Sequence, residues 1–224
     1  DGSLTFRDIV HQYCKGHPWA RFGIDLCIGS EADQPITQRQ MMFAPFYLMD
    51  AFDGAQIKSD SIQRPLITAN ELVVDATPEP DESDWMPTPL QCSLLLFILT
   101  TAATIYGIRR RTGLWGIDLF LFGIAGIVGC VLAFLALFSQ HPAVSSNFLL
   151  LVFHPGQLLF LPYIIYCVRK GKKCWYLTLN LAVLTLFIVL FPVIPQRFDF
   201  AVVPLALVLL IRSASNLIVT SKKK

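Results

Sequence analysis

The residues that could do chemistry start with His11-x-x-Cys14-x-x-His17. Helical spacing puts each imidazole about a turn from the thiol, and thiol with imidazole is the make-up of a Cys–His nucleophile pair. No third group orients the imidazole and no oxyanion donor accompanies it, so a structural thiol at a helix end is the stronger reading. Cys14 and Cys27 fall in a segment that the charge pattern puts on the oxidising side of a membrane, and there both a disulfide and two free thiols stay open. Cys92, Cys130, Cys167 and Cys174 lie in or beside apolar runs and read as small apolar residues. His141 and His154 each precede a proline, the usual setting of a turn residue. His141 is the candidate for touching a lipid phosphate or joining acid–base chemistry at headgroup depth. No set of His, Cys, Asp or Glu has metal-ligand spacing, and no glycine-rich phosphate loop or G-x-S-x-G elbow occurs. Neither a metal nor a cofactor is implied.

The elements that must position these groups are mostly apolar. Of 224 residues, 54% are hydrophobic and 15% charged, with a mean hydropathy of +0.55, too apolar for a water-soluble domain of this size. The formal charge of +2 hides two objects: residues 1–87 hold 6 basic and 14 acidic side chains, and residues 88–224 hold 12 and 2. No basic face interleaved with aromatics emerges, which argues against nucleic-acid binding. Beyond an acidic, proline-rich linker at 76–89, five apolar runs of about 20 residues each match the thickness of a bilayer's hydrocarbon core. The expected spans are 90–108, 114–138, 148–168, 175–194 and 200–219, followed by a basic tail at 220–224.

Basic residues then set a direction. Arg109–Arg111, Arg169 to Lys173 and Lys222–Lys224 fall after spans 1, 3 and 5, whereas the connections Ser139–Asn147 and Pro195–Asp199 hold only Arg197. By the positive-inside rule, the first 87 residues face away from the cytoplasm and the C-terminus lies inside. Trp85, Trp115, Trp175 and Tyr176 suit interfacial belts. Asp118 falls at the cytoplasmic end of span 2, and Arg212 is expected to snorkel from span 5. Pro162, Pro192 and Pro204 stand where a proline could kink spans 3, 4 and 5. Gly123, Gly126 and Gly129 form a stripe that reads as helix packing before it reads as a substrate groove.

Residues 1–75 read as a helical lobe. Thr5 with Asp8 makes a capping box for a helix to about Tyr13, Pro18 opens a second through Cys27, and Thr37 with Gln40 caps a third to about Phe52, ended by Asp53-Gly54. Extended pieces near Arg64–Thr68 and Glu71–Val74 are expected as edge strands. So short a segment buries a modest core. The dense apolar run Met41–Met49 therefore reads as the face of a lobe belonging to a larger domain. No export signal of basic and apolar regions opens the chain, so more soluble domain is expected upstream of Asp1.

Thr5-Phe6-Arg7-Asp8, then Pro18-Trp19-Ala20-Arg21-Phe22-Gly23-Ile24-Asp25-Leu26, Gly29-Ser30-Glu31-Ala32-Asp33 and Met42-Phe43-Ala44-Pro45-Phe46-Tyr47-Leu48 resemble the Lnb-type lipoprotein N-acyltransferases of the bacterial envelope. The likeness extends to the five-span tail, His141-Pro142 and Asn147. It implies a mainly α chain: the helical tail of a larger α+β thiol-hydrolase-like domain, followed by a five-helix transmembrane bundle in the inner membrane. The implied reaction moves an acyl chain from a membrane phospholipid to the N-terminal amine of a diacylglyceryl-cysteine lipoprotein, through a Cys–His thioester. The family's catalytic His and Cys belong to F-G-H-type and N-C-type motifs preceding the Thr5 run, and neither motif occurs here. No residue of this chain inherits those roles, and the chain alone is expected to be inactive, with the upstream part of its own catalytic domain as a partner. Candidate lipid or substrate contacts are Trp19, Arg21, Phe22, Asp25 and His141. For the first four, packing against a neighbouring domain is the competing role. A non-enzymatic membrane scaffold is the alternative function. A transporter is weaker still, for want of an inverted repeat or a buried charge pathway.

Overall fold

A computed structural model describes residues 4–59, 62–74 and 86–221. The acidic run of the linker, Trp85 and Lys222–Lys224 lie outside these residues.

The lobe begins as its local signals dictate. Thr5 Oγ1 accepts from the Asp8 amide while the Asp8 carboxylate accepts from the Thr5 amide, and this box opens α1, Phe6–Tyr13. Pro18 occupies the first turn of α2, Pro18–Cys27. A 3-10 turn follows at Ser30–Asp33. The expected third helix is two, α3 at Gln38–Met41 and α4 at Pro45–Asp53. Pro45 has no N–H to continue α3 and holds Ala44 in an extended conformation, so the chain restarts there. β1, Gln56–Ser59, and β2, Ile62–Pro65, pair as an antiparallel hairpin. Most of the expected Arg64–Thr68 strand and all of Glu71–Val74 lie outside it.

Ile9, Ile36 and Ala44 form the small core of the lobe. Tyr13 stacks on Phe46 with ring centroids 5.8 Å apart, which fastens α4 across α1. No residue of α4 is buried, and Phe46 is 65% exposed.

Six helices follow: α5 Pro89–Arg110, α6 Trp115–Phe138, α7 Pro155–Leu159, α8 Leu161–Lys170, α9 Trp175–Leu190 and α10 Val202–Ser221. Helix α10 lies between α5 and α9, and α6 carries α7 and α8. The five expected spans are not all continuous helices. Among the described residues three helices, α5, α6 and α10, are long and apolar enough to cross a membrane, and α8 with α9 adds a fourth if this pair, bent by 111°, counts as one. Residues 148–168 are not one helix: a 3-10 turn at Phe148–Leu151 gives way to α7 and then α8. His154-Pro155 and Leu161-Pro162 each place a proline in a first turn, where it starts a helix and cannot extend the one before. Pro192 lies past the end of α9 and Pro204 in the first turn of α10, so the prolines delimit helices and do not kink them.

Two further expectations change. Arg212 does not snorkel; it is 3% exposed, with Nε 2.7 Å and Nη2 3.0 Å from the two oxygens of Asp118 and Nη1 2.9 Å from Thr104 Oγ1. A guanidinium held inside the bundle needs a counter-charge, and this fork joins α10 to α6 and α5. Tyr176 is no belt residue either, since it is buried and stacked on Phe160 at 4.9 Å. The glycine stripe is a packing surface. A Cβ at Gly126 would stand 2.4 Å from Leu158 N, and one at Gly129 2.5 Å from the His154 backbone. Only hydrogens at these positions let α7 lie directly on α6.

Candidate functional site

The lobe meets the bundle through the end of α2. A helix leaves its last carbonyls without intrahelical donors, and here groups from the membrane part supply them. Asn147 Nδ2 donates to Leu26 O (2.8 Å) and Cys27 O (3.4 Å), and Gln196 Nε2 donates to Ile28 O (3.1 Å). The two amides also bind each other, Gln196 Nε2 donating to Asn147 Oδ1 at 3.2 Å. Their remaining oxygen capacity is taken by Leu149 N and Phe148 N. Both side chains are about 95% buried, which makes every one of these partners costly to lose.

Next to this junction, the Gly29 amide donates to Ala143 O at 2.8 Å, and Ser30 N and Oγ both donate to Ser146 O. A Cβ on Gly29 would stand 1.9 Å from Ser145 O, so only glycine permits this approach.

Behind the junction lies a buried charge cluster. Arg7, 1% exposed, reaches Asp25 Oδ1 through Nη1 (2.7 Å), both oxygens of Asp33 (2.7 and 3.1 Å) and the Gly29 carbonyl (3.2 Å). His11 Nε2 lies 2.8 Å from the same Asp25 oxygen. Arg197 donates from its backbone to Asp33 Oδ2 (2.9 Å) and from Nη1 to Asp8 Oδ1 (2.5 Å). Partial burial works to raise the Asp8 carboxyl, and the hydrogen bonds from Arg197 and Thr5 outweigh it, holding it below the usual carboxylate value.

An open groove of about 630 Å³ runs between the lobe and the bundle. Its lobe wall includes His11, Arg21 and Asp25; its bundle wall includes Leu90, Phe191, Phe198 and Phe200.

Of the five sequence candidates, the structure places four on α2 and leaves one apart. Arg21 and Asp25 line the groove, Asp25 being 3% exposed and committed to Arg7. Trp19 Nε1 donates to Pro87 O (2.9 Å) and its ring meets Phe22 edge-on, while Phe22 packs against the core of the bundle. His141 is elsewhere: its Nδ1 accepts from the Ala143 amide at 3.2 Å and caps a 3-10 turn. Arg7, Asp33, Gln196 and Arg197 were not among the candidates. Arg197 carried one signal, as the only basic residue in its class of connection; Gln196 carried none.

Cys14 and Cys27 are free thiols. Burial pushes both up, and the Asp25 charge pushes Cys14 further, the reverse of what activates a nucleophile. Among the described residues no group of His, Cys, Asp and Glu could hold a metal ion.

A helical membrane domain whose loops are clasped by a small polar lobe is the class that this fold and junction define. Residues 81–224, more than half of the chain, match the family model described as the Lnb transmembrane domain, and the chain belongs to that family. No curated protein and no solved structure matches it.

Proposed function

We propose that this chain is the membrane part of a bacterial lipoprotein N-acyltransferase, fixing a thiol–imidazole domain at the outer surface of the inner membrane. The observation that carries this reading is the match of residues 81–224 to the Lnb transmembrane domain, and the capping of α2 by Asn147 and Gln196 ties the lobe to that domain. A domain seated on the lobe is then held at a set height over the lipid. The face available for it is α4 with its neighbours, where Phe43, Phe46, Met49 and Phe52 are all more than 40% exposed.

Orientation follows from charge. In the bundle's connections the lobe end holds only Arg197, while Arg109–Arg111 and Arg169–Lys173 gather at the other end, the pattern of a lobe outside the cytoplasm. In the reaction, a thiolate of the seated domain attacks the ester carbonyl of a phospholipid. The ester C–O bond breaks, imidazolium protonates the departing lysophospholipid oxygen, and a thioester remains. The neutral N-terminal amine of a diacylglyceryl-cysteine lipoprotein then attacks the thioester; the C–S bond breaks to release the thiolate, the amide forms, and the imidazole takes the proton the nitrogen loses, restoring the starting pair.

Mass spectrometry of lipoprotein N-termini in a strain lacking the gene tests the reading. N-acylated termini should fall to background. Unchanged N-acylation would leave a non-enzymatic scaffold as the better description.

A further inference from the structure

We infer that the groove between lobe and bundle is a binding site for a glycerophospholipid, its phosphate on Arg21 and Arg197 and an acyl chain over Phe191, Phe198 and Phe200. The groove's volume, about 630 Å³, falls within the roughly 300–1,000 Å³ of ligand sites.

Its two walls differ in chemistry. On the lobe side the other cation, Arg7, is spent on Asp25 and Asp33. Arg21 is not, among the described residues: its side chain is 49% exposed, and its nearest carboxylate contact there is a 3.8 Å approach to Asp25 Oδ2. Arg197, bound to Asp8 at one nitrogen, keeps 56% of its side chain exposed. Asp199, the other acid in the lining, accepts from the Ala201 amide at 2.8 Å. Two guanidinium forks with exposed donors complement a phosphate diester.

The bundle wall is aromatic. Phe191 and Phe198 stack at 5.3 Å over Phe187. At the lip, Leu90 is 39% and Phe200 71% exposed, so the wall runs on into the apolar surface of the helix ends. A soluble phosphate would leave that wall wet, and a plain hydrocarbon would leave the exposed donors of both guanidiniums facing no phosphate. An amphiphile with a phosphate headgroup satisfies both at once.

The inference rests on the proposed placement of the groove at the membrane surface and not on acyl transfer, so its failure is separable from failure of that reaction. Unchanged N-acylation in the deletion strain would remove the reaction and leave lipid binding to be read directly. The test is native mass spectrometry of the full chain in dodecyl maltoside, offered phosphatidylglycerol, phosphatidylethanolamine and diacylglycerol with matched chains.

Retention of both phospholipids about tenfold above diacylglycerol is expected, the worth of one charge-assisted contact. Arg21→Gln should abolish most of that preference without changing the melting temperature, because the side chain is half exposed and weakly held. Phe200→Ser should weaken retention of all three lipids, and Arg39→Gln, on α3, should change nothing. Equal retention of diacylglycerol, or an unchanged preference in Arg21→Gln, would overturn the site. So would displacement of the phospholipids by glycerol 3-phosphate at matched concentration, which would show a headgroup pocket with no role for the aromatic wall.

Discussion

Asn147 shows what a single side chain can hold. It spans the carbonyl end of α2, the first turn after its own loop and the Gln196 amide, all out of water. In Asn147→Ala each orphaned buried partner costs about 1–3 kcal/mol, so a loss of about 3 kcal/mol or more is expected, read as a lower melting temperature in detergent. Cys14 is the opposite case. Burial and the Asp25 charge push its thiol up and disfavour the thiolate, and Cys14→Ser should leave N-acylation unchanged in a complemented strain. Acyl label trapped on Cys14 would contradict that assignment.

Asp8 supplies a pH dependence whose sign follows from its lowered value. The Arg197 contact stabilises the fold above the ordinary aspartate range and is lost as pH falls through the lower folded value. Because Arg197 is over half exposed, the effect is at most about 1 kcal/mol. Asp8→Asn should therefore lower the melting temperature slightly at pH 7 and progressively less below about pH 4. Legibility in the sequence divides along the same lines. Both lobe capping boxes involve residues three apart, so their spacing announces them. Arg7 finds Asp25 and Asp33 across 18 and 26 positions, and nothing local marks the encounter.

Elements obey the same divide between local and distant causes. Apolar runs made α5, α6 and α10 evident, because length and composition are local properties. The broken stretch between Phe148 and Lys170 was not evident, since hydropathy is blind to prolines that stop helices at Pro155 and Pro162. Breaking that stretch lets α7 lie against the glycine stripe of α6. Gly126→Leu should drive the α7 backbone away and cost about 1–3 kcal/mol or more, detectable as loss of folded protein after detergent extraction.

The Asp118–Arg212 fork is a second tie between elements, invisible to a reading that treats each span alone, its partners being 94 positions apart. Arg212→Met leaves the Asp118 carboxylate buried without its counter-charge and should cost about 3–5 kcal/mol. Pairing it with Asp118→Leu should restore most of the loss, because a buried ion pair and a packed apolar pair are often similar in stability. Melting temperatures of the single and double variants, measured side by side, check this.

At the scale of the whole molecule, lobe and membrane helices form one object. The charge split between residues 1–87 and the rest was plain in composition, and it foretold two differently solvated parts. Their junction was hidden, because it is made of neutral amides and a glycine that composition does not distinguish from any others. In the proposed arrangement, the height of the lobe's exposed aromatic face over the membrane is set through that junction by Asn147, Gln196 and Gly29. The proposed acyl transfer between two lipid-anchored substrates would depend on such a fixed distance, since misplacing reacting groups by about 1 Å can cost roughly a hundredfold in rate.

The most direct test is complementation of the deletion strain with the Asn147→Ala, Gln196→Ala double variant, reading the N-acylated fraction of lipoprotein N-termini by mass spectrometry. N-acylation should fall well below that given by the unaltered gene while the variant still resides in the membrane. Full N-acylation by a membrane-resident variant would contradict the account, because transfer would then need no rigid hold of the lobe on the bundle.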